Sequence, residues 1–477
     1  MFDQRPWKTA YAGGVRCQDK SGLAMATRTC LRLTSARRVR LCLARAGLKY
    51  DQNGDMNFTI CIRSQTRELA AGLLSLLPIM NRICSTVVIF VLCLFVVPLL
   101  EAQNYWTGNA GDNLWSTAAN WSLGVTPDAT QDVFIPDSAS PVILNVSAET
   151  ASLTLGSTEG SPALNIVGGP LHCHGAGSIQ TNAVLNLNGR IITDALLQVD
   201  GTINSGGSAG ITGMVTVGPS GNLNIAATGP LSFSSILLNQ GTISSFATSL
   251  QLADTFNNQG TFRIEANCNV FTTGSGNLTF YNSGTILAPA GSGNTALTIS
   301  GNFTNSGTIK AETNASLQLQ IASFSGAAAD FRDGTVFDGE GLVQLTAYQG
   351  PSSFEGNITV NCSLDYYCDQ IGGNSFWSGS GLFRWRKGNI GGFTFQPGFH
   401  AETVSGLNKT VRGYHANYGA FSWTDGSTIG EMGSSAFYNY GQFIVQSNCT
   451  ISIGEFPKPG FQNLGDVLVP ANVGTSR

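Results

Sequence analysis

Charge and helical periodicity are what this chain of 477 residues has least of. Charged residues make up 11% of it, and beyond position 103 no window of a dozen residues carries apolar side chains at a sustained 3.6-residue period. The first shortage separates it from charged disordered chains, the second from helical bundles. Basic residues are scarcest beyond position 103, where 11 Lys+Arg face 23 Asp+Glu. A nucleic-acid binder needs clustered cations to neutralise phosphates, so this balance excludes that partner class. The longest apolar run, Val87 to Leu100, has 14 residues, short of the about 20 that cross a membrane as a helix.

What is abundant is glycine, at 58 copies, together with short Val/Ile/Leu/Thr/Phe alternations bounded by Gly, Asn and Ser. Alternation of period two reads as half-buried strands, so the fold class is all-β. Four stretches are nearly identical: Asn239-Gln-Gly241-Thr-Ile243, Asn258-Gln-Gly260-Thr-Phe262, Asn282-Ser-Gly284-Thr-Ile286 and Asn305-Ser-Gly307-Thr-Ile309, recurring every 19 to 24 residues. A fixed period of that size marks a chain that coils into stacked rungs, a parallel β-helix or β-solenoid. Asn and Gly tolerate left-handed backbone, so each Asn-x-Gly is read as a tight corner and the following Thr-Ile or Thr-Phe as the start of a strand. Stacking in register puts Ile243, Phe262, Ile286 and Ile309 in an inward apolar ladder. It aligns the asparagines at one corner, bonded amide to amide. A second set stands near the C-terminus, in Asn417-Tyr-Gly419-Ala-Phe421 and Asn439-Tyr-Gly441-Gln-Phe443, 22 residues apart.

Residues 80–102 read as a secretory signal: Arg82, the apolar run, then Glu101-Ala102 as a cleavage point. On that reading translation starts at Met80, and residues 1–79 are a non-native or disordered upstream segment. The charge balance agrees, since 1–79 holds 13 Lys+Arg against 5 Asp+Glu. The expected organisation then runs from a Trp-rich capping coil (103–160) through solenoid repeats (161–325) to an aromatic-rich continuation (326–477). That last part holds Phe383, Trp385, Phe421 and Trp423, read as inward stacks, with a sugar-binding platform as the alternative. The sequence stops soon after a fresh coil begins, which reads as a fragment.

The capping stretch carries Trp106-Thr-Gly108, Gly111-Asp112-Asn113-Leu114-Trp115, Asn120-Trp121, Pro127 and Asp132-Val133-Phe134-Ile135. Trp106, Trp115 and Trp121 supply the apolar area with which a first coil covers the open end of a solenoid. This stretch resembles the N-terminal segment of secreted bacterial β-helix surface proteins, including autotransporter-associated β-strand repeat proteins and filamentous-haemagglutinin-like adhesins. The resemblance implies a right-handed parallel β-helix exposed outside the cell, and it implies no defined activity.

Candidate chemistry is sparse. Glycoside hydrolysis needs two carboxylates facing one cleft; Asp330, Asp333, Asp338 and Glu340 cluster in sequence, as do Asp365 and Asp369. The full polygalacturonase-type set of Asn-Thr-Asp, Asp-Asp, His-Gly and Arg-x-Lys does not occur. His172-Cys173-His174 points two imidazoles to one face of a strand, but a metal site wants a third and fourth donor that the neighbouring sequence does not supply. Arg384-Trp385-Arg386-Lys387 is the one locally basic stretch, read as a solvated loop with a partly packed Trp. Cys362 and Cys368, six apart, are either a small-loop disulfide or two small inward-facing residues. The function expected is a secreted or cell-surface (outer-membrane) structural or adhesive solenoid. It has no catalytic activity and no cofactor, takes surface glycans or other cell-surface proteins as partners, and touches membrane only through the signal segment. An extracellular β-helix polysaccharide lyase or glycoside hydrolase is the first alternative, a carbohydrate-binding module the second.

Overall fold

The computed structural model describes residues 46–50, 56–60 and 102–470, with breaks at 208, 226–230, 234–235, 248, 253, 266, 273–277, 323–327, 349–351, 369–370, 405–406, 408, 425–427, 432–434, 447–449 and 453–459. The chain divides into two compact units, Met1–Val97 and Pro98–Arg477. In the first, Ala46–Tyr50 pairs antiparallel with Met56–Ile60. The rest of the upstream segment, and the expected signal segment as far as residue 101, lie outside the described residues.

The second unit is a parallel β-solenoid. Its named strands pair only in parallel, each with the strand one coil before and one coil after. One face stacks 16 strands in chain order, from Val142–Leu144 to Phe461–Asn463. Two further faces complete each coil, and some strands run round the corner between them. The first half of Gly293–Asn305 pairs with Cys268–Thr272 and its second half with Leu278–Asn282. The one helical turn among the described residues is a 3-10 turn, Ala118–Asn120.

Burial follows the period of two. Ile243, Phe262, Ile286 and Ile309 are Cα partners in successive coils and all fully buried, each worth roughly 1.5–3 kcal/mol of transfer free energy. On the preceding face a second file of rings, Phe256, Phe280, Phe303, Phe331 and Phe354, stacks inside with centroids 4.5 to 5.8 Å apart. In the later coils Phe383, Trp385, Phe421 and Trp423 are buried core residues. Arg384 and Trp385 belong to the strand Leu382–Trp385, so the basic stretch begins in a strand and its Trp is fully packed, not partly packed in a loop.

The corner asparagines are buried and bonded rung to rung. Asn239 Nδ2 donates to Asn258 Oδ1, Asn258 to Asn282 and Asn282 to Asn305, each at 2.6 Å. The glycines beside them do not act as expected from their tolerance of left-handed backbone. None of Gly241, Gly260, Gly284 and Gly307 adopts a positive φ. They are required because the coils touch there. A Cβ on Gly260 would stand 2.2 Å from the Gly241 carbonyl oxygen, and one on Gly284 would stand 2.1 Å from that of Gly260. The C-terminal asparagines also form a ladder, Asn417 to Asn439 at 2.8 Å and Asn439 to Asn463 at 2.6 Å. They stand at a different corner. The central ladder closes strands of the face before the 16-stranded one, whereas Asn417, Asn439 and Asn463 close strands of the 16-stranded face itself.

At the N-terminal end Trp115 and Trp121 pack edge to face at 4.7 Å, and Trp106 and Trp121 at 5.0 Å; all three are buried. Trp121 Nε1 donates to the Trp115 carbonyl at 2.8 Å. The polar residues between them hold the loop. Buried Asn120 donates to Asp112 Oδ1 and to the Leu114 carbonyl, and hydrogen bonds from Thr117, Leu114 and Asn120 hold the Asp112 carboxyl below its ordinary range. Parallel stacking runs through this stretch: Ala102–Tyr105 pairs with Gln131–Ile135, and that strand with Ser152–Leu155 one coil later.

Candidate functional site

Of the acidic residues singled out from the sequence, Asp330, Asp333, Glu340 and Asp365 are engaged by side chains of a neighbouring coil. Asp330 accepts from Ser353 Oγ at 2.6 Å. Asp333 accepts from the backbone N–H and the side-chain amide of Asn357, at 2.7 and 2.8 Å, and these bonds hold its carboxyl below the ordinary range. Glu340 accepts from the Thr313 hydroxyl, and Asp338 ends the strand Thr335–Asp338, with its Cα partnered by Lys310. Asp365 is 1% exposed and lies between two guanidinium groups, Arg384 Nε at 2.6 Å and Arg386 Nε at 2.8 Å. The Arg386 guanidinium also sits 5.8 Å over the Tyr367 ring. The local positive charge read from the sequence is therefore spent on a buried carboxylate, whose desolvation those two cations offset. Asp369 lies outside the described residues.

Cys362 and Cys368 are free thiols, and both are buried. The strand Ser363–Tyr366 runs between them, and four extended residues alone span about 13 Å, against the 7 Å or less that a disulfide allows between Cα atoms. The disulfide reading is thus corrected to two inward-facing side chains. Burial pushes the Cys362 thiol up to about 12, and those of Cys173 and Cys268 to about 11, which keeps them protonated and unreactive.

Burial also removes Trp385 and Trp423 from any sugar-stacking role. The exposed rings Tyr418 and Tyr440 stack on each other across adjacent coils, 4.8 Å apart and within 6° of parallel.

One polar cluster joins three coils. The strand Leu171–Cys173 turns Leu171 and Cys173 inward and His172 outward; His174, just beyond, faces out as well. Glu149 is the Cα partner of His172 one coil earlier, and Asp194 follows the strand segment paired with it one coil later. Asp194 Oδ1 stands 3.0 Å from His172 Nε2 and Oδ2 stands 3.2 Å from His174 Nδ1, while His174 Nε2 stands 3.4 Å from Glu149 Oε2. The hydrogen bond that His174 donates to Glu149, then that to Asp194, raises the His174 pKa; accepting from His172 and then from His174 lowers that of Asp194. One donor atom each from Glu149, His172 and His174 lies within 4.8 Å of the others. The sequence reading missed Glu149 and Asp194 because it searched nearby positions. They stand 23 residues before and 22 after His172, one rung in each direction, and the rung period was the signal that leads to them.

Another histidine is structural. His415 is buried in the aromatic file against Phe393 and Phe437. Its Nε2 lies 2.9 Å from the Arg412 carbonyl, and its Nδ1 accepts from the Phe393 N–H at 3.3 Å. Burial pushes its pKa down to about 4. The unfolded chain takes up this proton near pH 6.5 and the folded chain does not, so stability contributed at neutral pH is lost as pH falls from about 6.5 to about 4. At about 1.4 kcal/mol per unit the loss is about 3 kcal/mol. Denaturant midpoints of the wild type and of His415→Phe across that range are expected to converge on acidification. Parallel pH profiles would rule this out.

Comparison with family models, curated proteins and solved structures finds no match to this chain.

Proposed function

We propose that this protein is a secreted or cell-surface adhesive scaffold, non-catalytic, that binds an extended polyhydroxylated ligand such as a surface glycan along the flank of its coils. The observation that carries this reading is an outward amide file on the 16-stranded face. Asn186 Nδ2 donates to Asn165 Oδ1 at 2.7 Å, Asn204 to Asn186 at 3.0 Å and Asn224 to Asn204 at 2.9 Å. Each side chain is half-buried, and an amide nitrogen has two donors, so the ladder uses one and leaves the other for solvent or ligand. Repetition at the rung spacing of about 4.8 Å presents the same donor to successive hydroxyls of a polymer. The signal-like segment 80–102, the low charge and the resemblance of residues 104–155 to bacterial β-helix adhesins support an extracellular setting.

Binding spread over rungs degrades gradually. On a glycan array, Asn186→Ala and Asn204→Ala are each expected to weaken the full chain's binding by about two- to five-fold, with a larger loss for the double variant. A polysaccharide lyase or glycosidase behaves otherwise. Release of unsaturated or reducing-end products by the wild type, abolished by Asp333→Asn or Glu340→Gln alone, would replace the adhesive reading with a catalytic one.

A further inference from the structure

We propose that Glu149, His172 and His174 bind one divalent transition-metal ion of the zinc class, with Asp194 of the next coil orienting His174, and that the ion clips two successive coils at the N-terminal end of the solenoid. Two imidazoles and a carboxylate are the donor set such ions take, usually with a water in the fourth position. Calcium and magnesium prefer oxygen donors only, which this set does not offer. The geometry is close to what an ion requires. Bonds of about 2.0–2.1 Å to a tetrahedral ion place donor atoms about 3.3 Å apart; His174 Nε2 and Glu149 Oε2 stand 3.4 Å apart, and one donor atom from each of the three ligands lies within 4.8 Å of the others.

Roles within the set follow from which atoms face each other. His174 Nε2 faces Glu149, and a ring nitrogen of His172 lies within 4.8 Å of the donor atoms of both, so these three supply the ligands; His172 Nε2 also stands 3.0 Å from Asp194 Oδ1. His174 Nδ1 faces Asp194 Oδ2, and an N–H donated to a carboxylate from the far ring nitrogen fixes tautomer and ring direction in metal-binding histidines. The strand below is rigid, with Leu171 and Cys173 fully buried on its inner side. Period-two alternation then holds His172 and His174 on one outward face, their rings 4.1 Å apart. The surface placement leaves the ion an open approach, and ligands from two coils, with Asp194 of a third holding His174, make binding a cross-link that only the folded chain offers.

The test uses the full chain, stripped with chelator, and zinc chloride alone as the probe. Calorimetry is expected to show one ion per chain, and cobalt chloride to give the intense visible bands of a tetrahedral site. His172→Ala and His174→Ala should each weaken zinc binding at least ten-fold, and Asp194→Asn by about ten-fold, the lower end for a residue that orients a ligand. The chain has four histidines, so the double variant retains only His400 and the buried His415. Zinc should raise the melting midpoint of the wild type and not that of the double variant, while the metal-free midpoints agree. Unchanged zinc affinity in the double variant, or no binding up to millimolar zinc, would overturn the proposal. If the double variant fails to fold, Glu149→Gln, whose side chain is 61% exposed, must still lose ten-fold in affinity. If it binds zinc like the wild type, the cluster is a set of surface ion pairs.

Discussion

Gly284→Ala is expected to destabilise the solenoid by about 3 kcal/mol, the upper end of the range for overpacking a tight site. The added Cβ would meet the Gly260 carbonyl oxygen at 2.1 Å and the Gln259 carbonyl carbon at 2.6 Å. Both are backbone atoms of the coil below, so no side chain can swing aside. Relief requires the coils to separate at that corner, which would stretch the Ser283 and Gly284 N–H bonds to the Asn258 carbonyl, 2.9 and 3.0 Å long. Gly372→Ala is the control, because a Cβ there meets nothing within 4 Å and its φ is not left-handed. Chemical denaturation should separate the two variants clearly. Equal midpoints would show that close approach is not what the repeated glycine serves.

Asn282→Leu is expected to cost about 2–4 kcal/mol, since it removes both neighbours' partners at once inside the core. Asn305 Oδ1 loses its donor and the Asn258 amide loses its 2.6 Å acceptor, and each buried polar group left unpaired costs about 1–3 kcal/mol. Asn258 retains the Thr285 carbonyl at 3.2 Å, which places the value below the full cost of two orphans. Asn186→Ala removes similar amide-to-amide bonds from the outward file, where water replaces them, and should change stability by less than about 0.5 kcal/mol. If the two substitutions cost the same, burial is not what gives the corner ladder its weight.

Much of the coil was legible because its causes are local. The period of Asn-x-Gly marks the rungs, and the alternation after it assigns Ile243, Phe262, Ile286 and Ile309 to the interior. Less was legible where a residue's partner lies a rung away. Glu149 and Asp194 join His172 and His174 only once the coils are stacked, and Asp365, a candidate carboxylate in sequence, is buried as an ion-pair partner once Arg384 and Arg386 arrive on it from the next coil. Cys362 and Cys368 read as neighbours because sequence distance is short, whereas an extended strand between them keeps them apart.

By itself the sequence determined that the chain is all-β, that it repeats at 19 to 24 residues, and that Ile243, Phe262, Ile286 and Ile309 face inward. These depend on backbone tolerance and on period-two alternation, properties carried by each short segment alone. Tertiary structure decided why the corner residue is glycine, through carbonyl oxygens of the coil below rather than through φ. It also decided that the second asparagine ladder stands at another corner, because the lengths of all intervening strands and turns sum to set where a motif falls around the coil. The same summation gathers the histidine cluster, since register between rungs is a property of the stack and not of any segment in it.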